Sequence, residues 1–359
     1  MTLNSFNRRI KVLIVDDSSI VRKILSETIA EESDMEVVGT APDPFVARDK
    51  ILALKPDVVT LDIEMPRMDG LTFLKKIMQF HPMPVIIISS LAQSSCAISL
   101  EALASGAVDV LAKPGGPYSI GELRESLPAK LRAAAHARLP RSNQEAPRPA
   151  VTVARSPLPP SSPFHRDTVI AIGASTGGTE AIHNVLVQLP ANSPGIVLTQ
   201  HIPKLFSTAF AQRLNRVCAM EVKEAEDGDE LAPGRALLAP GDFHMVLRKV
   251  GQSYRVQLQS GPKVCYQRPA VDVMFASVAA AAKQNAIGVL LTGMGADGAQ
   301  GLLDMKKAGA STIAQNEATC VVYGMPREAV RMGAAERVLP LDAIPHAILS
   351  QSARRSGNA

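Results

Sequence analysis

Seven prolines fall within the 24 residues from Pro140 to Pro163, among serines and arginines and without apolar periodicity. Proline removes a backbone donor and fixes φ, so neither a helix nor a central strand can run through such a stretch. It reads as a tether, kept extended and semi-rigid by its polyproline character, which limits how far the flanking domains can separate. A proline-rich ligand for an SH3-like partner is the weaker alternative. Each side must then build its own core. A chain of 359 residues allows two ordinary domains, 10–138 and 164–352, on either side of a linker at 139–163.

The composition, 46% hydrophobic and 20% charged, is that of a soluble globular protein, and with 4% aromatics the cores must rest on Val, Ile, Leu, Ala and Met. The net charge of +4 is spread along the chain with no basic run among aromatics, which gives nucleic-acid binding no support. Cys96, Cys218, Cys265 and Cys320 lie far apart and form no C-x-x-C, as expected of reduced thiols in a cytoplasmic protein. No apolar stretch approaches the roughly 20 residues needed to cross a bilayer, so no membrane insertion is expected.

From Lys11 to about Arg138, β-branched runs alternate with segments that are apolar at helical spacing. The runs are Val12 to Val15, Glu36 to Gly39, Val58 to Leu61, Val85 to Ile88 and Val108 to Leu111. This predicts a doubly wound parallel sheet with its functional groups at the strands' carboxyl ends. Asp16 and Asp17 follow the first strand, Asp62 the third, Ser89 the fourth and Lys113 the fifth. One aspartate after a strand is ordinarily a turn or cap residue, but polar groups at matching strand ends call for another reading. Clustered carboxylates repel one another unless a hard cation such as Mg²⁺ neutralises them. Asp62 is then placed to attack a phosphoryl group while Lys113 and Ser89 contact the transferred oxygens.

These residues, together with Leu61-Asp62-Ile63-Glu64-Met65-Pro66, Asp69-Gly70 and Lys113-Pro114, make the first domain resemble a two-component receiver. The resemblance implies a flavodoxin-like fold of five parallel strands, phosphorylation of Asp62 by a partner histidine kinase, and Mg²⁺ held by Asp16, Asp17 and Asp62. Val110 departs from the pattern, standing where receivers often carry a switch aromatic. Asp69 and Gly70 read as a turn into the next helix.

The second half again alternates, with strands expected at Val169 to Ile172, Gly195 to Thr199, Arg235 to Ala239, Ile287 to Leu291 and Ser311 to Ala314. A hairpin of His244 to Lys249 and Tyr254 to Leu258 is inserted, predicting a mostly parallel α/β domain with one antiparallel addition. The acidic run Glu221 to Glu230 reads as a solvated connection, and the tail around Arg354-Arg355 as disorder. His165, His183, His244 and His346 lack partners at ligand spacing and read as exposed or packed.

The first strand of this half runs into Gly173-Ala174-Ser175-Thr176-Gly177-Gly178, after which Ala181, Ile182, Val185, Leu186 and Leu189 fall at helical spacing. G-x-S-x-G on a strand-to-helix turn exposes a hydroxyl in the way a nucleophile needs. Taken alone, the stretch fits a phosphate or dinucleotide turn equally well. Context separates the two. A dinucleotide site wants an acid ending the second strand, where this chain has Gln200-His201, and the Walker Gly-Lys-Ser/Thr is absent. A DNA-binding output domain would be shorter and poorer in strands. A nucleophilic serine needs a base and an acid to orient it, and His201 and Asp297, the latter within Gly293-Met294-Gly295-Ala296-Asp297-Gly298, each follow another strand. The order Ser175, His201, Asp297 is not the Ser, acid, His order of α/β-hydrolases. By loop position, the backbone N–H groups of Thr176 and Met294 are candidates for an oxyanion hole.

Gly-Ala-Ser-Thr-Gly-Gly, Gln-His, Gly-Met-Gly-Ala-Asp-Gly and Arg268-Pro269-Ala270-Val271-Asp272-Val273, in this order, closely resemble the catalytic domain of the chemotaxis protein-glutamate methylesterases. The resemblance implies hydrolysis of glutamyl methyl esters on chemoreceptors, with release of methanol, and deamidation of glutamines by the same residues, without a cofactor. It also implies that the unphosphorylated receiver covers the serine and that phosphorylation of Asp62 loosens this packing.

Overall fold

Every residue of Val58–Asp62, Val85–Ser89, Val169–Ala174 and Gly195–Gln200 is buried. Parallel strands reach that state when helices cover both faces of their sheet. The computed structural model, which describes residues 8–114, 117–139 and 167–356, contains two such sheets. The expected proline linker lies outside the described residues except for Leu139, as does His165.

The first sheet consists of β1 (Ile10–Val15), β2 (Met35–Ala41), β3 (Val58–Asp62), β4 (Val85–Ser89) and β5 (Asp109–Ala112). Its order is β2-β1-β3-β4-β5 and all its pairs are parallel, as the sequence pattern predicts. Around it lie α1 (Ser19–Ala30), α2 (Pro44–Leu54), α3 (Gly70–Phe80), α4 (Gln93–Ala104) and α5 (Pro117–Ala135). Asp69 caps α3 by accepting the Thr72 N–H at 2.8 Å, which bears out its structural reading.

The second half comprises β6 (Val169–Ala174), α6 (Gly178–Leu186), β7 (Gly195–Gln200), α7 (Phe206–Val217), β8 (Glu221–Glu224), β9 (Glu230–Leu231) and β10 (Arg235–Leu238). It continues through β11 (His244–Val250), β12 (Ser253–Gln259), α8 (Val271–Ala282), β13 (Ala286–Leu290), α9 (Ala299–Lys307), β14 (Ser311–Gln315), α10 (Met325–Arg331), β15 (Arg337–Leu339) and α11 (Ile344–Ser356). The seven-stranded sheet, β15-β14-β13-β6-β7-β10-β8, is parallel throughout. The hairpin forms as expected but does not extend that sheet; with β9 it makes a separate three-stranded antiparallel one.

Two local expectations are corrected. Glu221–Glu224 is an edge strand, not a solvated connection, because Val222 is buried and Glu224 turns to the same face, where Ser207 and Thr208 of α7 donate to its carboxylate. The chain around Arg354 and Arg355 belongs to α11, which is anchored upstream by buried Ile344, Ala347 and Ile348.

The two halves are packed together. One apolar cluster includes Cys96 and Leu100 of α4 together with Ile182 of α6 and Phe206, Phe210 and Leu214 of α7. Across the same seam Arg213 donates to the Leu100 carbonyl at 2.9 Å and to Glu180 at 2.9 Å.

Candidate active site and receiver site

At the carboxyl end of the first sheet, Lys113 Nζ lies 2.6 Å from Asp62 Oδ2 and 3.3 Å from Asp16 Oδ2. Asp62 and Ser89 are fully buried. Burial, opposed by Lys113 and reinforced by Asp16, pushes the Asp62 carboxyl up to about 6. Burial raises Asp16 as well. Lys113 loses solvation there, yet the two carboxylates hold its ammonium above the ordinary range. Carboxylate oxygens of Asp16, Asp17 and Asp62 lie within 4.8 Å of one another, and the buried Asp16 Oδ2 is met by the Lys113 ammonium at 3.3 Å without a well-aligned hydrogen bond. Three clustered carboxylates, an oxygen-only donor set that a single ammonium does not neutralise, suit a hard divalent cation.

The second site grows out of strand register. β6 pairs with β7 so that Ala174 faces Gln200, and the His201 N–H then donates to the Ala174 carbonyl at 3.2 Å. Ser175 and His201 therefore leave the sheet side by side. On the other flank of β6, β13 leads to Thr292, whose carbonyl accepts the Ser175 N–H at 3.0 Å. Gly293 follows, and a Cβ there would stand 2.7 Å from Ser175 Cβ, so only glycine lets this loop pass the serine. Gly177 turns the chain into α6 at φ 75°, the left-handed region that glycine occupies freely.

His201 Nε2 lies 2.7 Å from Asp297 Oδ2, and both side chains are buried. A carboxylate can only accept, so Nε2 carries the proton and Nδ1 holds the free lone pair. Burial works against the Asp297 charge, but the His201 bond and the N–H groups of Val271 and Asp272, at 2.7 and 2.9 Å, keep its carboxyl below the usual range. Among the described residues Ser175 Oγ makes no hydrogen bond to His201, a contact that often tightens only once substrate is bound. The backbone N–H groups of Thr176 and Met294 have no protein acceptor there either.

The chain is similar to known proteins along most of its length. A family model described as CheB methylesterase matches residues 170–348, and one described as response regulator receiver domain matches residues 12–125. A Syntrophus aciditrophicus protein named protein-glutamate methylesterase/protein-glutamine glutaminase 2 is 58% identical over 342 residues, 95% of this chain and 98% of its own. A Pseudomonas aeruginosa protein of the same name is 53% identical over 352 residues, 97% of this chain and 99% of its own. The chain belongs to the CheB methylesterase family. The crystal structure of the Thermotoga maritima CheB methylesterase catalytic domain is similar at a TM-score of 0.50 and 39% identity, over 51% of this chain and 97% of that one.

Within this CheB-family chain, several supporting residues escape a reading of the sequence. The Gln200 amide donates to the carbonyls of Ser175, at 2.8 Å, and His201, at 3.3 Å, tying two members of the site together through their backbones. Thr292 Oγ1 lies 3.1 Å from the Thr176 carbonyl and accepts the Val322 N–H at 3.0 Å. Both residues sit beside the motifs, but spacing alone does not tell which way a side chain turns.

The receiver itself reaches the turn that carries Ser175. Thr176 Oγ1 donates to Asp109 Oδ2 at 2.6 Å, while Lys130 of α5 holds Asp109 Oδ1 at 2.6 Å. Arg138 donates its N–H to the Val321 carbonyl at 2.9 Å and pairs with Glu317 at 2.7 Å. Between His136 and Arg138 on one side and the Met294–Ala296 loop on the other lies a cleft of about 690 Å³.

Asp272 opens α8 and accepts the Gly301 N–H at 2.7 Å. Burial, opposed by that bond and reinforced by the charge of Asp297, pushes it up to about 6. The fold therefore binds this proton more tightly than the unfolded chain does. The stability it confers is complete below the ordinary carboxyl range and is lost as pH rises through about 6. Asp272→Asn has no such proton to lose. Its melting temperature relative to the unsubstituted protein is expected to climb between about pH 4 and about pH 7.5, and an offset independent of pH would show that Asp272 does not titrate there.

Proposed function

We propose that the chain is a phosphorylation-regulated serine hydrolase that removes methyl esters from glutamyl side chains of chemoreceptor cytoplasmic domains, and deamidates glutamines with the same residues. The observation that carries this reading is Ser175 beside a buried His201–Asp297 pair, in a chain 58% identical to a protein named for both activities. The working division is a receiver at 10–138, a linker at 139–163 and a catalytic domain at 164–352, with the protein acting in the cytoplasm.

In this reading Ser175 Oγ attacks the ester carbonyl while His201 Nδ1 takes its proton, Nε2 being engaged by Asp297. The N–H groups of Thr176 and Met294 receive the oxyanion. Collapse returns the proton through His201 to the leaving methoxide as methanol, or to the leaving amide nitrogen as ammonia. Water then enters, His201 takes a proton from it, and the acyl-serine breaks to give glutamate and free Ser175. Asp297 fixes the ring and balances the imidazolium charge.

Asp62 accepts a phosphoryl group from a partner histidine kinase or a small phosphodonor. Asp16, Asp17 and Asp62 would hold Mg²⁺, which supplies neutralisation of the clustered carboxylate and phosphoryl charge. Lys113 exchanges its bond to Asp62 for one to the new phosphoryl oxygens, and Ser89 is placed to donate to them. Until then the receiver rests on the nucleophile turn through Asp109.

Two substitutions test this reading. Ser175→Ala is expected to lower methanol release from methylated receptor by roughly 10³-fold or more, and activity near that of the unsubstituted enzyme would remove the serine from the mechanism. Asp109→Ala is expected to raise the unphosphorylated rate on the order of tenfold, about 1.4 kcal/mol of lost restraint, while leaving the fully phosphorylated rate in place. An unphosphorylated rate that did not move would show that the contact restrains nothing.

A further inference from the structure

The most exposed large apolar side chain among the described residues is Tyr266, at 88%, and its neighbour Cys265 lies near the Asp297 carboxylate. Val264 and Gln267 exchange backbone hydrogen bonds of 3.0 and 2.9 Å, leaving Cys265 and Tyr266 as the central pair of a tight turn. Their φ angles are 50° and 64°, the left-handed conformation for which such turns favour asparagine and glycine. Two side chains are thus kept where the backbone alone would prefer none, an outlier that points toward function.

The turn is fixed at its base and placed over the site. Buried His244 accepts the Ala270 N–H on Nδ1 at 3.2 Å and donates from Nε2 to the Pro262 carbonyl at 2.9 Å, clasping the segment at both ends. Arg268 donates to the Gly261 carbonyl at 2.8 Å. Cys265 Sγ lies within 4.8 Å of carboxylate oxygens of both Asp272 and Asp297. The turn therefore brings Cys265 near the Asp297 carboxylate while the Tyr266 ring stands in solvent.

A glutamyl side chain is short, and Ser175 is only 7% exposed. The ester reaches the serine only if the polypeptide that carries it lies along the rim of the site, and the 264–267 turn stands at the Asp297 end of that site, with Cys265 Sγ within 4.8 Å of the Asp297 carboxylate. We infer that Tyr266 is a substrate-specificity residue that seats the polypeptide flanking the methyl-esterified glutamate by packing its ring on an apolar side chain beside the ester. This rests on the esterase reading above. A rigid, exposed aromatic with few torsions suits that role, because little conformational entropy is lost when it is covered.

The test uses the full-length protein phosphorylated with a small phosphodonor and Mg²⁺, assayed on a methylated receptor cytoplasmic fragment and on p-nitrophenyl acetate. For Tyr266→Ala, KM for the receptor fragment is expected to rise roughly tenfold with kcat within about twofold, and Tyr266→Phe to restore it. The ratio of kcat/KM for the receptor fragment to that for the small ester falls accordingly. An unchanged KM for the fragment, or equal losses on both substrates, overturns the inference. Full activity of Ser175→Ala on both substrates would instead overturn the esterase reading, so the two failures are distinct.

Discussion

The Asp297 carboxylate is the knot of the catalytic half. It accepts the His201 Nε2–H and the Val271 and Asp272 N–H groups, so one buried charge joins the end of β7, the start of α8 and the loop after β13. A charge without such donors would cost several kcal/mol to bury. Here the open N–H groups at a helix start supply them. The same bonds that keep the acid ionised also fix the distance between two loops, so tautomer control and loop placement are one structural fact. Asp272, displaced from that role by one residue, meets the charge of Asp297 and bears the electrostatic consequence.

The opposite side of the serine is organised by neutral groups. Gln200 binds the carbonyls of Ser175 and His201, and Thr292 links the Thr176 carbonyl to the Val322 N–H. Buried amides and hydroxyls need partners, and the nucleophile turn, which departs from sheet pairing, offers unpaired carbonyls. Gln200 leaves its buried Oε1 unpaired, yet its bonds and that of Thr292 hold Ser175 at a sharp bend with neutral groups alone. The Ser175 N–H and the Ser175 and Thr176 carbonyls of the turn are all engaged within the fold.

Much of this was legible in the sequence because parallel sheets put function at strand ends. Asp16, Asp62, Ser89 and Lys113 converge in one half, and Ser175, His201 and Asp297 leave neighbouring strands in the other, as the β-branched runs and the residues after them predict. What stayed hidden depended on long-range register or on edges. β8 is only Glu-Val-Lys-Glu, with a single buried residue to betray it, and β15 exposes most of its side chains. Gln200 could be seen in the motif, but its two carbonyl partners exist only once β6 and β7 are aligned. Asp109 reads as one more acid at the start of a strand; its partner Thr176 lies 67 positions away in the other half.

That contact bears on how a receiver with Val110 at the switch position communicates. A rotating aromatic is unavailable, but β5 is a short strand with Asp109 at one end and Lys113 just beyond the other. Lys113 holds Asp62 and Asp16, while Asp109 holds Thr176 and Lys130. A change in what Lys113 binds acts on the same four-residue strand that carries the interdomain hydrogen bond. Being paired to β4 along its length, this strand is better suited to shift as a unit than to absorb the change locally. In the proposed reading, phosphorylation is then felt at the residue after the nucleophile without any side-chain rotor, and the apolar packing of α4 on α7 sets how much displacement releases the cover.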